Sequence, residues 1–248
     1  MGQNQHVTVT PSGWPLRQFT IDELTRLLTA CAPRLIEISK DSIRDDVSLK
    51  DLAHALTDIR ALHSSELSFA GTTDLVRCAK FSWERYRQYL AIQFAQARFL
   101  DASLFRILLG SAGSTTTSVG ELTDRVKAVC RDLAPIQVCI EIHAGAESEP
   151  VVLTELLRCT PVRFVIDFEN MQRAELTSDR LLELIPNDRI AYFHQRNLPG
   201  VWIEHQESLQ DECLWHGTLP EAPFLWEPKT VTDPKRIQDL FYEYRSTN

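Results

Sequence analysis

Short runs of β-branched and aromatic residues alternate along this chain with stretches whose apolar side chains recur at helical spacing, and that alternation restricts the fold more than any other feature. Repeated strand–helix units build a parallel sheet with helices outside it. Strands are expected at 6–10, at 34–39 (RLIEIS), within the ambiguous IRALHSSEL at 59–67, and at 104–110 (LFRILLG). Four more are expected in PIQVCIEIH (135–143), VRFVIDFEN (162–170), RIAYFHQRN (189–197) and FLWEP (224–228). Helix starts are marked by Thr20 with Glu23, by Ser48, by Ser118 with Glu121, and by Asp233 followed by Pro234. These are residues that satisfy the first free N–H groups of a helix or tolerate its first position.

Eight such units in 248 residues fit a single (β/α)8 TIM barrel spanning 1–248, where catalytic groups lie at the C-terminal ends of the strands. An open doubly wound sheet is the competing architecture, and the missing glycine-rich fingerprint after the first strand disfavours it. The seventh unit reads as shortened or irregular. Between strands seven and eight, NLPGVWIEHQESLQDECLWHGTLPEAP offers at most one short helix near 208–214. Trp202 and Trp215 in that segment mark either a lid or the contact of a homodimer.

The last four strands share a second property. Each spends its run on apolar residues and then shows a metal-capable side chain: Glu141, Asp167, His194 and Glu227. Any one of these alone reads as a loop acceptor or helix cap. Four in consecutive units, at one height of a barrel, supply the three carboxylates and one imidazole that a hard divalent cation takes. Mn²⁺ or Mg²⁺ suits such a set, with Co²⁺ and Zn²⁺ still open. His143 shares the side of Glu141 and could reach a substrate; Arg196 could hold an anionic or hydroxylated one. His63 and Glu66 on the third strand and Glu37 on the second could face the same pocket. Lys40 and Lys229 read as solvated.

Other chemistries find no support. There is no G-x-S-x-G, P-loop or H-E-x-x-H motif. A net charge of −8 argues against a nucleic-acid partner. No apolar run is long enough for a bilayer, so no membrane partner is expected. Six scattered cysteines without a C-x-x-C pair, and no signal-peptide pattern, suggest a reduced cytoplasmic setting. Cys139, inside an apolar run, reads as a small hydrophobe.

At EIHAG (141–145), IDFEN (166–170), YFHQRN (192–197) and LWEP (225–228) the chain resembles the xylose isomerase-like TIM-barrel superfamily, a group of sugar isomerases, sugar epimerases and endonuclease IV-type enzymes. The resemblance implies one divalent ion, manganese, cobalt or magnesium, held by Glu141, Asp167, His194 and Glu227. It also implies that Glu141 and Glu227 act as the acid–base pair on a sugar or related polyhydroxy or keto substrate. Two positions depart from the family: Asn170 stands where relatives carry a histidine, and Asn197 where they carry an aspartate. The additional ligands of a three-metal nuclease are missing as well. An isomerase or epimerase working through an enediolate is therefore expected. A dehydratase of the 3-dehydroshikimate type, or a barrel that has lost catalysis and binds a partner, are the alternatives.

Overall fold

The computed structural model describes residues 9–11, 14–39, 44, 46–74, 82–109, 117–142, 149–168, 170, 183–195, 222–226 and 233–247. Eight strands run parallel: β1 (Val9–Pro11), β2 (Leu35–Ser39), β3 (Glu66–Asp74), β4 (Leu104–Leu108), β5 (Gln137–Ile142), β6 (Arg163–Asp167), β7 (Ile190–Gln195) and β8 (Phe224–Trp226). Their spatial order is β1-β8-β7-β6-β5-β4-β3-β2, each strand beside its sequence neighbour, as a (β/α)8 barrel requires. Around the sheet lie α1 (Ile21–Cys31), α2 (Leu49–His63), α3 (Trp83–Phe99), α4 (Val119–Leu133), α5 (Pro150–Cys159) and the C-terminal α6 (Pro234–Thr247). Of the segment read as an irregular seventh unit, 197–223, residues 197–221 lie outside the described residues. No described helix is long and apolar enough to cross a membrane.

The helix starts follow their capping residues. At α1 the Thr20 hydroxyl accepts from the Glu23 N–H at 3.3 Å, and the Glu23 carboxylate accepts from the Thr20 N–H at 2.9 Å. Only half of that arrangement forms at α4. Ser118 accepts from the Glu121 N–H, while the Glu121 carboxylate turns to Arg125. Ser48 caps α2 in the same way, and the Lys235 N–H at the start of α6 donates to Asp233.

One strand is displaced from its expected place. Residues 59–63 are the last turns of α2, whose buried Leu52, Leu56 and Ile59 keep helical spacing. The helix ends at Ser64, a non-glycine residue at φ 53°, and β3 begins only at Glu66. A serine in the left-handed region gives no stop signal that a glycine would have given. Downstream, the small residues of β3 answer to packing. A Cβ on Gly71 would come within 3.0 Å of the Phe105 ring and of Gln93 Oε1.

Two apolar layers result from the period-two alternation of the strands. Phe69, Phe105, Ile107, Ile140, Ile142, Phe164, Ile166, Phe193 and Trp226 face the helices in the larger core. Leu35, Leu104, Cys139, Val165, Tyr192 and Leu225 form a second cluster that fills the floor of the barrel. A register shift between β6 and β7 sets the phase on one side. Phe164 pairs with Ile190, but Val165 pairs with Tyr192, so Ala191 is an extra residue. Because a one-residue slip turns every side chain to the opposite face, this bulge puts Tyr192 and then His194 inside.

A candidate metal centre on the barrel floor

Two residues above five members of the floor cluster stands a polar group. Leu35 is followed by Glu37, Leu104 by Arg106, Cys139 by Glu141, Val165 by Asp167 and Tyr192 by His194. Two strand residues rise by about 6–7 Å, so the charged side chains form the next layer toward the C-terminal ends. All five residues are buried. Their contacts confirm the inward direction, since β2 and β7 are far apart around the sheet and can meet only across its interior. The Tyr192 hydroxyl donates to Glu37 Oε2 at 2.5 Å, and Ser68 Oγ of β3 lies 3.0 Å from the same hydroxyl.

Glu141, Asp167 and His194 come together: one ligand atom of each lies within 4.8 Å of the others. Asn170 ties the two carboxylates in place. Its backbone N–H donates to Asp167 Oδ1 at 3.0 Å and its Nδ2 to Glu141 Oε1 at 3.3 Å. The residue that departs from the family pattern is thus buried and bonded to both carboxylates.

Sequence reasoning missed Arg106 altogether. Its Nε donates to Glu37 Oε2 at 3.0 Å and its Nη1 pairs with Glu141 Oε2. A single arginine in an apolar strand, at Leu104–Leu108, gave no motif to find; the only signal was an inward position two residues after Leu104. Tyr192 was equally silent, because a tyrosine in a strand ordinarily reads as core. Glu37 was expected only as one of several polar residues that could face the pocket. In the structure it is fully buried, with His194 Nε2 3.3 Å from its Oε1.

Burial alone would raise the Glu37 pKa from its ordinary 4.5, but the Arg106 guanidinium, the nearby His194 ring and the hydrogen bond from Tyr192 outweigh it and hold the group at about 2. Burial, reinforced by the charge of Glu37, pushes the Tyr192 phenol well above its ordinary value, so it remains a donor. A carboxyl whose pKa is depressed on folding stabilises the fold above the unfolded value and loses that contribution as pH falls through the folded value. Between pH 4.5 and 2, wild-type stability should therefore fall more steeply than that of Glu37→Gln, by about 1.4 kcal/mol per pH unit. Urea unfolding at a series of pH values checks this; parallel curves would remove Glu37 as an ionised buried group.

Of the other sequence candidates, His63 is corrected. It sits in the last turn of α2, before β3 begins, at the end of the barrel opposite the strand C-termini. It cannot line a site that opens beyond Glu141 and His194. Glu66, the first residue of β3, is exposed at that same end. Glu227, His143, Arg196 and Asn197 lie outside the described residues. Cys139 is fully buried, and burial pushes its thiol up to about 12, which suits a packing role rather than a nucleophile.

The donors fit a divalent cation by type: Glu141 and Asp167 offer carboxylate oxygens and His194 an imidazole nitrogen, all three buried.

No protein-family model matches the sequence, and no curated protein matches it either. Solved structures match over nearly the whole chain. A xylose isomerase domain containing protein from Salmonella typhimurium LT2 is 13% identical, with a TM-score of 0.75 over 99% of both chains. A probable 3-DHS dehydratase from Bacillus anthracis is 13% identical, with a TM-score of 0.68 over 98% of this chain and 99% of that one. The apo form of 3-keto-D-glucoside 4-epimerase from E. coli is 11% identical, with a TM-score of 0.63 over 97% and 99%. The chain has the xylose isomerase-like TIM-barrel fold.

Proposed function

We propose that this protein is a divalent-metal-dependent isomerase or epimerase that acts on a sugar or a related small polyhydroxy or keto substrate. The observation that carries the reading is the buried meeting of Glu141, Asp167 and His194 at the C-terminal end of the barrel. The epimerase among its structural neighbours supports the reaction class.

In this reading Glu141, Asp167, His194 and Glu227 hold Mn²⁺, Mg²⁺, Co²⁺ or Zn²⁺. Glu227 stands two positions after the barrel-lining Leu225 in the sequence. The ion supplies a Lewis acid that makes charge on a substrate oxygen less costly. The chain's own groups move the proton: Glu141 and Glu227 act as general base and general acid on the carbon next to the carbonyl. Asn170 holds the Glu141 and Asp167 carboxylates at fixed angles, and the apolar floor keeps water out from below. His143 and Arg196 are the proposed substrate contacts.

A dehydratase is the second reading, favoured by the likeness to the 3-DHS dehydratase. The same proton abstraction would then be followed by loss of a β-hydroxyl. Product mass separates the two: isomerisation conserves it, and dehydration removes one water.

Metal analysis is the direct test. The purified protein should retain a divalent ion, and Mn²⁺ added to stripped protein at one hundred times its Kd should add about 2.7 kcal/mol of stability. For a chain of this size that is a Tm rise of about 5–11 °C. Asp167→Asn should abolish the rise. A stripped protein indifferent to Mn²⁺, Mg²⁺, Co²⁺ and Zn²⁺ alike would leave a binding protein as the better reading.

A further inference from the structure

We infer that the outward face of α3 is the contact of a homodimer, in which α3 of one copy packs antiparallel on α3 of a second about a two-fold axis beside Ile92. The inner face of this helix already uses Tyr86, Leu90, Phe94 and Ala97 against the barrel. A surface helix ordinarily turns polar residues to the other side. Here Tyr89, Ile92 and Phe99 stand there, 43%, 61% and 56% exposed. Leu62, Val151 and Tyr242, the other large apolar residues exposed among the described residues, each stand singly on a different helix.

Charge favours a second copy as the occupant. Between its apolar residues the stripe carries Arg85, Gln88 and Gln96 and no carboxylate, although the chain has a net charge of −8. Two acidic molecules that meet at this face therefore avoid the repulsion of like charges. The stripe is also self-complementary. In an antiparallel pair about a two-fold axis, residues on one flank at equal heights before and after the axis come together. Ile92 meets its own copy. Arg85 and Phe99 lie seven residues before and after it, close to four helical turns apart and so nearly on one line, each about 10 Å from the axis. Each guanidinium then reaches the Phe99 ring of the second copy. Arg87 and Arg98 mark the flank toward α4 by their bonds to Asp132. Glu84, one turn before Arg87, shares that flank. Glu84 and Arg98 stand eight residues before and six after Ile92, so their heights match to about 3 Å, within reach of an ion pair between copies. Because α3 joins β3 to β4, and Trp202 and Trp215 belong to the segment between β7 and β8, the contact is made without those tryptophans.

One helix pair covers less than the about 800 Å² per partner of a standard interface, so the dimer is reversible, with a Kd in the micromolar range. Sedimentation equilibrium of the full chain from about 1 µM to about 1 mM should show monomer passing into dimer. Ile92→Glu sets two carboxylates against each other at the axis and should weaken association about 10-fold or more. Phe99→Ser should weaken it in the same direction. Both side chains are exposed, so the variants should keep the wild-type circular dichroism spectrum. In a second arm, a short bismaleimide should link Ile92→Cys into dimers about 10-fold faster than Leu62→Cys, after subtraction of the wild-type rate, because only position 92 meets itself. A monomer throughout the range, a dimer indifferent to Ile92→Glu and Phe99→Ser, or equal cross-linking at 62 and 92 would each overturn the proposal.

Discussion

Arg106→Met should be the most damaging single change to the metal-free fold, lowering Tm by about 6–20 °C. The arginine is the shared counter-ion of two buried carboxylates, Glu37 and Glu141. Removing one partner of a buried ion pair leaves an unpaired charge in low dielectric, which costs about 3–5 kcal/mol. At this chain length each kcal/mol is worth about 2–4 °C. Methionine roughly fills the space, so the loss reports charge rather than a cavity. Saturating Mn²⁺ should recover part of the loss, because the ion takes over the compensation of Glu141. Differential scanning calorimetry with and without the ion measures both effects. A variant within 2 °C of wild type would mean that the two glutamates do not depend on Arg106.

That dependence also shows what a sequence can and cannot carry. Glu141, Asp167 and His194 were legible because each ends an apolar run, and strand periodicity then puts all three at one height of a barrel. The partners that make the layer electrically tolerable were not. Arg106 and Tyr192 lie in the middle of apolar strands, and their meaning comes from Glu37, 69 and 155 residues away. Only the closure of the sheet brings β2, β4 and β7 to face one another. No local pattern records that closure.

The error at the third strand has a local cause. Ile59 and Leu62 in IRALH read as readily as β as they do as helix, and the Ser64 cap hides the boundary. The true β3, ELSFAGTTD, is poor in the β-branched aliphatic residues that announce a strand. Its small side chains make room for the Phe105 ring, which stacks on Phe69 at 5.7 Å and meets Phe94 edge-on at 5.2 Å. His63 was carried to the wrong end of the barrel by that one misplacement. A substrate contact was thereby assigned to a helix terminus.

Asn170 raises the opposite point. Judged against the family pattern it counted as a loss, since an amide neither binds a metal well nor takes up a proton. Its two bonds show a different use: one residue fixes both Glu141 and Asp167. Where the family resemblance leads one to expect an ionisable neighbour, this chain has a neutral amide bonded to both carboxylates.

Glu141→Gln tests the acid–base assignment of Glu141, and turnover should fall by about 10²- to 10⁴-fold, the range for removal of a general acid or base. The single amide oxygen can accept from only one of Arg106 and Asn170, which meet different oxygens of Glu141, so the folded structure should persist with a Tm lowered by about the cost of one lost buried hydrogen bond. Lost metal affinity would mimic lost catalysis, and kcat must therefore be read at saturating Mn²⁺, with occupancy confirmed by calorimetry. If excess ion restores kcat, Glu141 is a ligand and nothing more. If kcat stays low at full occupancy, the carboxylate moves a proton. Glu227→Gln should behave alike, and solvent-deuterium incorporation at the carbon beside the carbonyl distinguishes the two glutamates. The variant lacking the base should lose exchange, while the one lacking the acid should exchange without completing turnover. Unchanged turnover in both would show that the chemistry of this barrel lies elsewhere.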